Sequence, residues 1–286
     1  MSQKEASEEL LSRVYSHPDD DSARLVLADL LLEQDDPLGE FIMLQCASQP
    51  DEARVRALLQ QHGLTWQAPL GPLIHPGATR FERGFPVSVR MSFFQQPRPA
   101  PGPAWGTVRE ISLRGSLTPL AADWLASPHL HAVTRMHGMH AAIARRLGAY
   151  PLPVRRLEVE GRAYRESHPD TFLALSALPH LTWVDVPDAA PGDVSQCATS
   201  PMARRLERFT ASSSEDWFLA ATPSEEVTVS VTLLREEGVG ELEAAIRAAV
   251  GFGTRALRLV SRPRLEGASL RLLKEAAAAY ARTEWV

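Results

Sequence analysis

Asp29 and Glu40 sit among leucines in the run "DDDSARLVLADLLLEQDDPLGEFIMLQ", residues 19–45. Paired carboxylates in apolar surroundings take different pKa values and can divide general-acid from general-base work. The same residues also fit a structural network. Asp29 falls on one helix and Glu40 near the start of the next, where free backbone N–H groups and the positive end of the helix dipole favour carboxylates, and Arg24 is near enough in the chain to neutralise one. The network of Arg24, Asp29 and Glu40 is the preferred reading, with a catalytic dyad as its rival. Calcium is a poor fit, because neither Asp19–Asp21 nor Asp35–Asp36 opens a loop with the alternating oxygen ligands and terminal Glu of an EF-hand.

A second group is "HLHAVTRMHGMH", which brings His129, His131, His137 and His140 within one short stretch. Such spacing could converge on zinc. His129 nevertheless shares a Pro-His-Leu register with His180, so a recurring turn is the simpler account, and an enzyme built on the His129–His140 run or on Asp29 and Glu40 is the third-ranked function. "GFGTRA" (251–256) imitates a glycine-rich nucleotide loop but has a helix before it and a strand after it, the reverse of the required order. No nucleophile elbow, phosphate loop or zinc-protease helix is present in the sequence. The expectation is therefore no catalytic residues, no metal and no cofactor.

These residues belong to a chain of 286 residues that is 44% hydrophobic, enough to bury a large core. Cys46 and Cys197 are too far apart in sequence to suggest a metal or redox pair and read as packing residues. Residues 1–64 carry 5 Lys and Arg against 13 Asp and Glu, a front half that would repel nucleic acid. No apolar run is long enough to span a membrane, and MSQKEASEEL has no signal-peptide pattern, so a cytoplasmic location and no membrane partner are expected.

Helical periodicity and cap residues predict helices over 5–16, 22–34, 37–48 and 51–62. Asp20, Asp21 or Ser22 starts the second, Asp35 or Asp36 starts the third before Pro37, and Gly63 stops the last. The run "ARLVLADLLLEQDDPLGEFIMLQ", then "LLQQHGLTWQAPLGPL" and "RFERGFPVSV", resembles the bacterial repeat-companion domain over about residues 8–90. Leu30 stands where that family usually has Trp, and Pro86 follows the RGF. The resemblance implies a helical domain that precedes leucine-rich repeats, with no established activity.

The remainder shows such repeats in degenerate form. VREISL (108–113), VRRLEV (154–159) and LTWVDV (181–186) fit L-x-x-L-x-L, TRALRL fits it in part, and FPVSV and VTVSV keep the alternation. Aligning Val89, Ile111, Val133, Leu157, Val184, Phe209, Val229, Leu257 and Trp285 gives steps of 20 to 28 residues. Ala-rich helical segments lie between strands. The expected fold is α/β: an acidic helical cap domain (1–80), then an irregular leucine-rich-repeat-like solenoid (81–286) of parallel strands with helices on the convex side, and a Pro-rich loop at 95–106. The chain lacks Asn altogether, so the usual hydrogen-bonding ladder of such repeats is absent.

The residues flanking the core positions would line the concave face: Glu110, Ser112, Arg114, Arg156, Glu158, Glu160, Trp183, Asp185, Arg208 and Arg258, with Thr210, Thr228 and Ser230 beside them. Arg and Trp on a rigid sheet are suited to binding another protein. The expected function is a non-catalytic interaction module, with an inhibitor or immunity protein as the alternative.

Overall fold

In the computed structural model, residues 3–91, 99–113, 121–223, 228–253 and 255–286 are described. They form a mixed α/β protein that divides into two compact units, Met1–His137 and Gly138–Val286. The first unit therefore takes in residues beyond the boundary expected at 80, including three sheet strands and the start of a fourth.

The first unit opens with four helices, α1 (Gln3–Ser16), α2 (Asp21–Leu32), α3 (Pro37–Cys46) and α4 (Glu52–Gln67). The starts of α2, α3 and α4 are set by carboxylates that accept free backbone N–H groups. Asp20 takes Ala23 N–H at 3.2 Å, Asp36 takes Leu38 N–H at 2.9 Å, and Asp51 takes those of Ala53 and Arg54 at 3.0 Å. Gly63 does not end α4, which runs on to Gln67 because Trp66 stacks on Phe41, ring centroids 4.6 Å apart, and holds the last turn against the core. At Gly39, α3 comes so close to α2 that an added Cβ would lie 2.7 Å from the Ala28 carbonyl oxygen. Leu27, Ala28, Leu31, Ile42 and Phe85 fill the core beneath.

The RGF segment is a hairpin. β1 (Ile74–Glu82) pairs antiparallel with β2 (Phe85–Met91), and Arg83 and Gly84 both take positive φ, 51° and 88°, as a tight two-residue turn requires. Gln45 latches this turn by accepting Gly84 N–H at 2.8 Å. β2 then pairs in parallel with β3 (Glu110–Ser112), and β3 with β4 (Arg135–His140). The partner of Ile111 is Met136, not Val133; the strand starts later because Val133 occupies the leading position of its repeat, as Val108 does in its own. Of the Pro-rich loop, residues 95–98 lie outside the described residues. Pro103–Thr107 is a short 3₁₀ turn that buries Trp105, whose indole N–H donates to the Leu70 carbonyl at 3.0 Å.

In the second unit β5 (Arg156–Glu160), β6 (Trp183–Pro187) and β7 (Arg208–Ser212) are parallel, joined through α7 (Arg162–Ser167), α8 (Thr171–Leu175) and α9 (Pro191–Thr199); α6 (Ala141–Leu147) precedes them, and α5 (Ala121–Leu125) belongs to the first unit. The expectation of parallel strands throughout fails next. β8 (Trp217–Thr222) is antiparallel to both β7 and β9 (Thr228–Leu233), because the connection from β7 is a short Ser-rich turn with no helix to carry the chain back. After α10 (Val239–Ala249), β10 (Ala256–Ser261) is parallel to β9; after α11 (Gly267–Ala277), β11 (Arg282–Trp285) is parallel to β10, with Thr283 rather than Trp285 opposite Leu257. Leu157, Val159, Val184, Val186, Phe209 and Ala211 are buried under the helices, while the residues alternating with them on β5 and β6 stay half-buried on the other face.

Candidate functional site

The face of β5, β6 and β7 away from the helices carries an organised polar cluster. Register sets it: Trp183 on β6 lies opposite Arg156 on β5 and opposite Arg208 on β7. Both guanidinium groups stack on the indole, Arg156 at 4.0 Å and Arg208 at 4.8 Å from ring to guanidinium carbon. Each such contact is worth ~0.5–2 kcal/mol, more when water is excluded. One step along the strands, Asp185 ties the arrangement down: it accepts the Trp183 indole N–H at 2.8 Å, Arg156 Nε–H at 2.8 Å and the Thr210 hydroxyl. Trp183 is thus neither turned into the core nor loose at the surface, but held upright at half burial.

Electrostatics separate the two arginines. Asp185, only 13% exposed, neutralises Arg156. Arg208 has no carboxylate partner among the described residues, and its Nε–H is buried without an acceptor. A buried donor left unmade costs ~1–3 kcal/mol. The cluster offers a fixed aromatic edge beside a guanidinium that has no carboxylate partner among the described residues. Both Asp185 oxygens are taken up by hydrogen bonds within the cluster.

Of the other expected face residues, Glu158 accepts the Gly138 N–H at 3.1 Å, Glu160 is half-buried, and Arg258 lies 3.7 Å from Glu284. Thr228 and Ser230 lie on β9 on the same side. Glu110 and Ser112 belong to the first unit, where Glu110 is approached by His137 at 3.4 Å and by Arg80 and Arg135 at 3.8 Å beside an open groove of ≈ 300 Å³ that Arg90 and Ser112 also line. Arg114 lies outside the described residues.

No family model, curated protein or solved structure matches the chain.

The network expected of Arg24, Asp29 and Glu40 is not assembled. Arg24 is buried and bonds the Pro18 carbonyl and Asp21. Glu40 forms a two-pronged pair with Arg54, both contacts at 2.6 Å, which holds its carboxyl below the usual range. Asp29 is exposed on the outer side of α2, since the buried stripe runs through Ala23, Leu27, Ala28 and Leu31. The carboxylates face different neighbours, and no dyad results. The histidines are also apart in role: His129 lies in a 3₁₀ turn, while His140 caps α6 by accepting the Ala142 N–H at 3.2 Å. Among the described residues no three His, Cys, Asp or Glu side chains are placed to share a metal ion. Cys197 is fully buried, which raises its thiol pKa.

Sequence reading missed Arg165. It is fully buried on α7 and bonds Asp193 at 2.9 and 3.2 Å, the Val159 carbonyl at 2.9 Å and the Asp188 carbonyl at 2.8 Å; Asp193 also accepts the Ala190 N–H at 2.8 Å. One side chain thereby satisfies carbonyls at the ends of two successive strands, β5 and β6.

Proposed function

We propose that this chain is a non-catalytic protein-interaction module in which a repeat-companion-like helical domain (residues 1–80) heads a degenerate leucine-rich-repeat-like ladder (81–286), with the partner held on the sheet face that carries Trp183. The reading takes the protein to work in the cytoplasm without cofactor, nucleic acid or membrane; among the described residues no helix is long and apolar enough to cross a membrane. Support for the family resemblance comes from the packing of its signature residues: Gly39 at the helix crossing, Phe41 under Trp66, Gln45 on the RG turn. Support for the repeats comes from core residues in register across rungs, Ile111 with Met136 and Leu157 with Val184 and Phe209.

The observation that carries the functional reading is the stack itself. Arg156, Trp183 and Arg208 form a ladder fixed by Asp185, with Arg208 left without a carboxylate partner among the described residues. A side chain already held in place loses little entropy on binding, and Trp and Arg are the types that dominate interface energetics. The partner should present an acidic side chain to Arg208. The same preorganisation favours a single tight partner, as in an inhibitor or immunity protein, over several weak ones.

The test is capture from native extract with wild type and a Trp183→Ala, Arg156→Glu double variant, once both are shown to melt alike. One protein retained by wild type and lost by the variant is expected. Equal capture by both would remove this face from consideration and turn attention to the acidic helices.

A further inference from the structure

We infer that the outer edge of β11 pairs antiparallel with the same strand of a second copy, giving a two-fold dimer with Thr283 on the axis.

β11 bonds only β10 among the described residues, so its other edge presents backbone groups without partners. Which groups these are follows from parity. Arg282 N–H donates to the Arg255 carbonyl and Val286 N–H to the Leu259 carbonyl, so residues 282, 284 and 286 direct their backbone inward, and Thr283 and Trp285 direct theirs outward. An antiparallel strand can dock on this edge with an outward residue opposite an outward residue. Setting Thr283 opposite the second copy's Thr283 meets that condition, and the two residues exchange both N–H···O bonds.

That register fixes the charges as well. Arg282 falls opposite the second copy's Glu284, and Glu284 opposite the second copy's Arg282, both at the closely spaced positions between hydrogen-bonded pairs, where facing Cα atoms approach to ~4.5 Å. The edge is therefore self-complementary in sign. A protected edge normally relies on charges of one sign, which repel any second copy; Arg and Glu two residues apart do the reverse in an antiparallel pair. Trp285 and Val286 are 39% and 60% exposed next to this edge. An isologous contact of this kind closes on itself and stops at two copies. The surface is separate from the Trp183 face, so the inference stands apart from the binding role proposed there.

The experiment is sedimentation equilibrium of the full chain over a wide concentration range, with thermal melts to confirm folding, for wild type, Arg282→Glu, Glu284→Arg and the double exchange. Wild type should be dimeric. Each single reversal should weaken the dimer by at least tenfold, and the double exchange should restore it, the exposed Arg258 contact of Glu284 contributing little to the fold. A wild type that stays monomeric, single variants as dimeric as wild type, or a double exchange that stays monomeric would each overturn the inference.

Discussion

Two arginines of the second unit meet opposite fates. Arg165 is fully buried with its donors spread over Asp193 and neighbouring backbone carbonyls, and Asp193 in turn closes on the Ala190 N–H. Arg208 is stacked on Trp183 with its Nε–H buried and without an acceptor among the described residues. The first arrangement is saturated and has nothing to offer a second molecule. The second is organised yet incomplete, and a polar group that a fold leaves unmatched at fixed geometry is where recognition is expected.

The largest effect should come from breaking the saturated side. Arg165→Met leaves Asp193 charged and buried and frees the carbonyls of Val159 and Asp188, so a loss of ~3–5 kcal/mol is expected in urea unfolding. Adding Asp193→Leu should recover part of it, because a buried ion pair can be replaced by apolar packing at little cost when both charges leave together. An Arg165→Met protein as stable as wild type would show that the ladder does not depend on this bridge.

The smallest effect belongs to pairs that are neither buried nor incomplete. Glu40→Gln should cost ~0–1 kcal/mol, since its Arg54 contact lies in solvent. Its pH signature has a definite sign. Arg54 lowers the Glu40 pKa, the Ala23 N–H lowers that of Asp20, and Arg145 lowers that of Asp170. Each contributes stability that is complete above the ordinary carboxylate range and is lost as pH falls through the lowered value, so melting temperature should be flat near neutrality and drop below about pH 4.5. At the other end, burial pushes Tyr15 up to about 12, which predicts stability lost as pH rises from 10 toward 12. A melting temperature that rose on acidification below pH 4.5 would contradict these assignments.

Much of this arrangement was legible in the sequence, for local reasons. Cap carboxylates before apolar helical runs fixed the starts of α2 and α3, and the L-x-x-L-x-L rungs at 108–113, 154–159 and 181–186 placed Ile111, Leu157 and Val184 in the core and Trp183 and Asp185 on the opposite face. What was not legible depended on information that spacing does not carry. β8 has the same alternation as its neighbours, and only the absence of a helical crossover decides its direction. Met136 was missed because Gly138 interrupts the apolar pattern of its strand. Asp29 and Glu40 looked like partners until the rotation of α2 put one in solvent and Arg54, from another helix, took the other. Arg165 in "RAYRES" has the composition of a solvated helix; its burial depends on Asp193, distant in sequence.

The most direct test of the contrast is Arg208→Gln alone, followed by its melting temperature and by its affinity for the protein that wild type retains. The account predicts a melting temperature equal to or above wild type, because a donor and a charge that have no partner among the described residues are removed, together with affinity weakened by at least tenfold. A variant that melts lower yet binds as wild type does would show that Arg208 serves the fold, and that the Trp183 face is not where the partner is held.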